Sequence, residues 1–170
     1  MTDEQTPTAV SGPGPRFDAR RRYHRIMADS LPVRPARDDE TVAAAVRVNV
    51  FELAGGQPFF DALVDRFYAG VESDPDLLAI YPDHADLQGA RHRLALFLGQ
   101  YWGGPTTYSE ERGHPRLFMR HRGFPIDPAA RDRWLRHMRE AVAFMDPPAP
   151  VAARLLAYFD TGAEAMRNRD

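Results

Sequence analysis

The sequence predicts an all-α domain in which two layers of two helices pack face to face, behind an N-terminal extension. Three observations carry this prediction. Apolar residues recur at helical spacing in four long segments, Gly and Pro signals end those segments, and no pair of period-two runs reads as a strand hairpin. At 170 residues the chain suits one domain with a proper core and is short for two. No internal repeat interrupts that reading.

Residues 1–40 are rich in proline and glycine (Pro7, Gly12, Pro13, Gly14, Pro15, Pro32, Pro35) and lack sustained periodicity. Such a segment buries too little apolar area to offset its ordering entropy, so a mostly disordered extension is expected. Its Arg20–Arg25 patch reads either as a dock for an acidic partner or as a solvated tail with a short transient helix. The folded domain is expected over 41–170. A first helix covers Thr41–Leu53 and stops at Gly55-Gly56. The next carries Phe60, Leu63, Val64, Phe67, Tyr68 and Val71 on one face and ends near Ser73-Asp74-Pro75. A turn-like helix from Asp76 to Tyr81 is cut by Pro82.

A helix from Asp86 to Tyr101 then buries Leu87, Ala90, Leu94, Phe97, Leu98 and Tyr101. Gly103-Gly104-Pro105 ends it, and a loop runs to Ser109-Glu110. Asp127-Pro128 provides an N-cap and a first-turn proline for a helix with the stripe Trp134, Met138, Ala141, Val142 and Met145. After Pro147–Pro150 the last helix turns Val151, Leu155, Tyr158, Phe159 and Met166 inward. The broken, Gly-rich stretch before Asp127 is too long for a plain bundle connection, so something else organises it.

Composition removes whole classes of function. Without cysteine there are no disulfides, no thiolate catalysis, no iron–sulfur cluster and no cysteine-held zinc. A net charge of -2 makes no electrostatic case for nucleic acid or an anionic membrane. All 22 basic residues are arginine, which excludes Schiff-base lysines and a P-loop lysine. No apolar run approaches the ~20 residues of a membrane span. The first residues lack a signal-peptide core, and Arg20-Arg21-Arg22 is followed by no apolar stretch, so a cytoplasmic location is expected.

Six histidines are the candidate ligands. His24 lies in the extension, His84 in a polar turn, and His92 and His137 beside arginines on outward faces, where solvent exposure is expected. His114, between Gly113 and Pro115, suits a helix cap. His121 remains. Its neighbours Arg120 and Arg122 describe either a solvated charge run or the setting of a haem, whose iron takes a neutral imidazole and whose propionates take arginines. Tyr68, Tyr81 and Trp134 are either core filling or three hydrogen-bond donors around one cavity. No acidic pair or Ser-His-Asp set competes as an active site.

The text Phe67-Tyr68, Tyr81-Pro82, Phe97–Pro105, Tyr108-Ser109-Glu110, Gly113–Leu117, Met119-Arg120-His121 and Arg131–Leu135 resembles the group II truncated haemoglobins, and within them the mycobacterial O-type branch. The resemblance runs from Asn49 to Met166 and leaves the extension outside. It implies a 2-over-2 helical sandwich around haem b, with His121 as proximal iron ligand. It also implies Tyr68, Tyr81 and Trp134 as the distal groups. Ala90 falls where a distal histidine usually sits, and Leu94 lies one turn further on. Phe97, Arg116, Met119, Arg120 and Phe124 complete the implied cofactor contacts. The Asp83–Asp86 turn is one residue longer than the family pattern.

The implied activity is tight binding of oxygen and other diatomic gases with slow release. That suits redox chemistry, such as nitric oxide oxidation or peroxide reduction, better than delivery, and it needs a reductase of unknown identity. The competing readings are a gas sensor or partner-binding module working through residues 1–40, and a haem-free helical interaction protein. No nucleic-acid or membrane partner is expected, and a homo-oligomer is compatible with the sequence.

Overall fold

The computed structural model describes residues 49–81 and 87–170. Among them the chain forms α1 (Val50–Ala54), α2 (Gln57–Glu72), α3 (Pro75–Leu78), α4 (Leu87–Tyr101), α5 (Thr107–Arg112), α6 (Leu117–His121), α7 (Pro128–Met145) and α8 (Ala149–Met166). The described residues contain no strand, so the all-α prediction holds. The extension, its boundary at residue 40, the start of the first expected helix and the Asp83–Asp86 turn lie outside the described residues.

Helix α2 is the centre of the packing. Its first turn contains Pro58, whose fixed φ and missing N–H suit a helix start. Phe60, Leu63, Phe67 and Val71 are fully buried, in the i, i+3, i+7, i+11 stripe read from the sequence. Each such side chain contributes about 1.5–3 kcal/mol by leaving water. This stripe packs α2 against both α4 and α7, while α8 packs on α7. Two short helices close the ends: α3 lies on α2 and α7, and α6 lies on α8. Side chains cap α3 and α7, where Asp74 accepts from the Leu77 amide at 3.2 Å and Asp127 from the Ala130 amide at 2.8 Å.

The turn after α4 needs both of its glycines, for different reasons. Gly103 has φ +103, in the left-handed region. At Gly104 the constraint is space, because a Cβ would fall 2.5 Å from the Phe51 ring and 2.8 Å from the Gly99 carbonyl oxygen. That ring stacks on Phe60 at 5.8 Å and fixes α1 to the core.

The structure differs from the sequence reading at the loop expected to run to Ser109-Glu110, which is helix α5. A long-range clamp organises it. The Gln100 carbonyl oxygen accepts from the Ser109 amide at 2.9 Å, its amide donates to the Ser109 hydroxyl at 2.6 Å, and Tyr108 packs edge-on against Phe97. Ala90, Leu94 and Tyr101 of α4 are only half-buried rather than core.

Gly104→Ala is expected to lower stability by about 1–3 kcal/mol through overpacking against Phe51. A urea titration measures it, with Gly123→Ala, where an added Cβ meets nothing within 4 Å, as the control.

Candidate functional site

One side of the domain stays open. A cavity of about 720 Å³ lies between α4, α6, α7 and α8, within the range of cofactor sites. Its walls are mostly apolar: Leu77, Leu94, Phe97, Leu98, Phe124, Ile126 and Phe159 among others. Half-burial of Ala90 and Leu94 follows from this, since both face the cavity rather than another helix.

On one wall stands His121. Its Nδ1 lies 2.7 Å from the Leu117 carbonyl oxygen. A carbonyl only accepts, so Nδ1 carries the proton and donates it, which leaves the Nε2 lone pair available to a metal. Burial pushes the imidazole pKa below its usual value, and the Leu117 bond only partly offsets that. The ring is thus neutral at neutral pH, the form that binds a metal. Helix α6 is five residues long, too short to persist on local bonds. Side chains hold it instead: Asn168 Nδ2 donates to the His121 carbonyl at 3.1 Å, and Arg120 Nε donates to the Pro115 carbonyl at 2.8 Å.

Facing it, Tyr68, Tyr81 and Trp134 converge on the same cavity. They form a chain rather than three separate donors. Tyr81 is hydrogen-bonded to both Tyr68 and Trp134. An indole N–H only donates, so Trp134 gives its proton to the Tyr81 oxygen, and Tyr81 keeps its own proton for Tyr68 or for a ligand. Burial pushes the Tyr68 pKa up to about 12, against opposing effects of the Tyr81 bond and of Arg93 and Arg91. Burial also raises Tyr81, with the adjacent Tyr68 adding to the shift. Both hydroxyls therefore remain protonated donors across the physiological range.

Arginines ring the opening. Arg93, Arg112, Arg120 and Arg131 all line the cavity, with Arg131 also paired to Glu164. Arg116 and Met119 lie outside the lining, and Met119 is 59% exposed. A left-handed backbone at Arg116 (φ 43, ψ 46) starts α6 with both residues turned to solvent. His92 is exposed as expected and pairs with Glu111 at 3.2 Å, and His114 Nδ1 accepts from the Arg116 amide at 3.2 Å.

His137 is the larger correction. It is 7% exposed, not solvated. Its Nε2 sits 3.0 Å from Asp74 Oδ2, while Arg136 donates to the same oxygen at 2.7 Å and Arg133 to Oδ1 at 3.2 Å. Arg133 also pairs with Asp76. The sequence signal for this cluster is faint: arginines beside a histidine look solvated until a buried carboxylate 63 residues away is placed against them. Sequence reasoning also missed the α8 contribution of Gly162 and Ala163, and the clamp of Arg91 on Glu72 at 2.7 Å beneath Tyr68.

A flat, largely apolar ring with a central metal and peripheral carboxylates fits these walls: a neutral imidazole on one face, hydroxyl and indole donors on the other, guanidinium groups at the mouth. Such a pocket within a two-over-two helical sandwich defines a globin. The chain belongs to the bacterial-like globin family, whose pattern matches residues 49–168. It is 37% identical over 114 residues to the group 2 truncated haemoglobin YjbI of Bacillus subtilis, covering 67% of this chain and 85% of that protein. A thermostable haemoglobin from Thermobifida fusca superposes with TM-score 0.69 at 51% identity, over 71% of this chain and 97% of that one. The group II truncated haemoglobin of Bacillus anthracis does so with TM-score 0.67 at 36% identity, over 71% and 92%. The chain is thus a group II truncated globin, with haem b as its cofactor and oxygen and other diatomic gases as its ligands. No helix among the described residues is long and apolar enough to cross a membrane.

Asp74 carries the pH dependence of this assembly. The His137 hydrogen bond, with help from the Leu77 amide and Arg133, holds its carboxyl below the usual range despite opposing desolvation. A lowered folded pKa adds stability above the unfolded value of about 3.9 and loses it as pH falls through the folded value. Asp74→Ala is therefore expected to cost about 1–3 kcal/mol at neutral pH, because it removes the α3 cap and leaves the buried His137 ring without its acceptor. It should also flatten the acid limb of stability against pH below about pH 4, measured by urea unfolding across that range.

Proposed function

We propose that this globin belongs to the mycobacterial O-type branch and holds small gases tightly for redox chemistry, nitric oxide oxidation or peroxide reduction, rather than for delivery. In this reading the globin domain runs over 41–170 and His121 is the iron ligand. Ala90, Leu94, Phe97, Arg120, Phe124 and Trp134 hold the haem. When bound, the haem supplies an iron that coordinates diatomic gases and changes oxidation state. The observation that carries the proposal is the Trp134–Tyr81–Tyr68 hydrogen-bonded chain facing the neutral imidazole.

The distal residues act by charge. A diatomic ligand that draws negative charge to its outer atom is held by each hydroxyl or indole proton aimed at it. A hydrogen bond to a charged acceptor is worth roughly 1.5–3 kcal/mol, about tenfold to a hundredfold in dissociation rate. Trp134 supports this twice over. It reaches the cavity itself, and by donating to Tyr81 it aims the Tyr81 proton away from the indole. Ala90, at the distal-histidine position, lines the cavity and supplies no imidazole gate from there. Slow release is poor for delivery and suits reaction in place.

Trp134→Phe is expected to speed oxygen dissociation about tenfold to a hundredfold, and carbon monoxide dissociation less. Because the donors act in series, Tyr81→Phe combined with Trp134→Phe should fall short of the product of the single effects. Stopped-flow dissociation rates decide this, and an unchanged oxygen rate in Trp134→Phe ends the donor model. For the opposite wall, His121→Ala should abolish or alter the histidine-ligated ferrous absorption spectrum. A spectrum indifferent to that change removes His121 from the iron.

A further inference from the structure

Arg116 and Met119 stand outside the cavity lining. They lie with Arg112, Arg120 and Arg122 in one exposed segment around α6, the helix that presents His121. From Arg112 to Ile126 the chain has no Asp or Glu. Elsewhere Arg91, Arg131, Arg133, Arg136, Arg139 and Arg167 each pair with a carboxylate. Among the described residues, Arg112, Arg116, Arg120 and Arg122 form no such pair; Arg66, Arg154 and Arg169 form none either, but they are scattered along the chain rather than gathered in one segment.

Two of these arginines also line the cavity, Arg112 and Arg120, and there they suit the carboxylates of the haem. Arg116 and Arg122 are left over. The local backbone is built to present them: Arg116 takes a left-handed conformation unfavourable for a residue with a Cβ, held by the His114 ring at 3.2 Å and by the Arg120 contact to the Pro115 carbonyl. At the centre stands Met119, an unpacked apolar side chain on a cationic field. On α6, Arg116, Met119 and Arg120 are spaced i, i+3, i+4 and share a face.

We propose that this face docks a small acidic electron-carrier protein of the flavodoxin class, which passes single electrons to the iron held by His121. The proposal rests on the redox reading above, since gas redox chemistry consumes electrons and this cysteine-free sequence has no iron–sulfur or thiol group to relay them. The step moves one electron: the flavin of the carrier is oxidised, ferric iron becomes ferrous, and no bond on the protein forms or breaks. A small apolar centre within like charges fits a brief, steered encounter, in which charge sets the association rate more than the lifetime.

The test is stopped-flow reduction of the ferric haem-loaded protein by reduced flavodoxin. Between about 20 mM and about 300 mM salt the bimolecular rate is expected to fall about tenfold or more. Arg116→Glu with Arg122→Glu should slow it about tenfold at low salt and flatten the salt dependence. Arg116→Lys with Arg122→Lys should restore it, and reduction by dithionite should be unchanged in both. Independently of electron flow, oxidised flavodoxin added to the carbon-monoxide-bound protein should shift amide resonances centred on residues 112–122. Salt-independent reduction, equal rates in the Glu variants, or shifts elsewhere overturn the proposal. So do shifts produced by heparin and not by flavodoxin, which would mark a polyanion site. If docking and reduction occur but the ferrous protein consumes neither nitric oxide nor peroxide, the redox reading fails and the docking face stands.

Discussion

A buried carboxylate, Asp74, joins the segments that carry the Tyr81 and Trp134 wall of the pocket. It caps α3 through the Leu77 amide and accepts from His137 and Arg136, with Arg133 on its other oxygen. Arg133 and His137 flank Trp134 on α7, and Tyr81 lies three residues beyond the end of α3. The register of α3 against α7 therefore sets how the Tyr81 hydroxyl meets the Trp134 indole. A shift of about 1 Å between two such groups is enough to turn a hydrogen bond into a contact without one. Gly70 completes the arrangement, because a Cβ there would sit 2.6 Å from the His137 ring. An ion cluster away from the cavity thus fixes a geometry inside it.

Much of this was legible in the sequence where the signal is local. The stripes of α2, α7 and α8, the Asp127-Pro128 start and the Gly103-Gly104 stop depend on neighbours within a turn or two, and the structure has them where they were expected. Tyr68, Tyr81, Trp134 and His121 all line the one cavity, but spacing alone leaves each with a bland alternative. Only the long motif match brought them to one site. His137 was missed because its partner lies far away in sequence, and α5 because Gln100 rather than its own residues organises it. The exposure of Arg116 and Met119 was not legible for a third reason. In a helix of five residues, one left-handed residue at the start decides which face looks inward, and nothing in the arginine side chain announces it.

The two walls of the pocket are built differently. Tyr68 and Trp134 sit on helices of 16 and 18 residues whose inner stripes are core, so they move only if the core moves. His121 sits on a short helix held by bonds from side chains to backbone, with no buried residue of its own. Those bonds gather at the end of α8: Asn168 reaches the His121 carbonyl, its side-chain oxygen accepts from the Ile126 amide at 3.2 Å, and the Asn168 and Arg169 amides donate to the Ile126 carbonyl. Segments with few apolar contacts and partly exposed hydrogen bonds open at lower free energy than a packed core. Compliance therefore lies on the His121 side and rigidity on the Tyr68 and Trp134 side. In the function proposed above, a protein that holds a small ligand by angle-sensitive hydrogen bonds gains from that order: strain from the cofactor would be taken up by α6 and its tether, and the donors opposite would keep their aim.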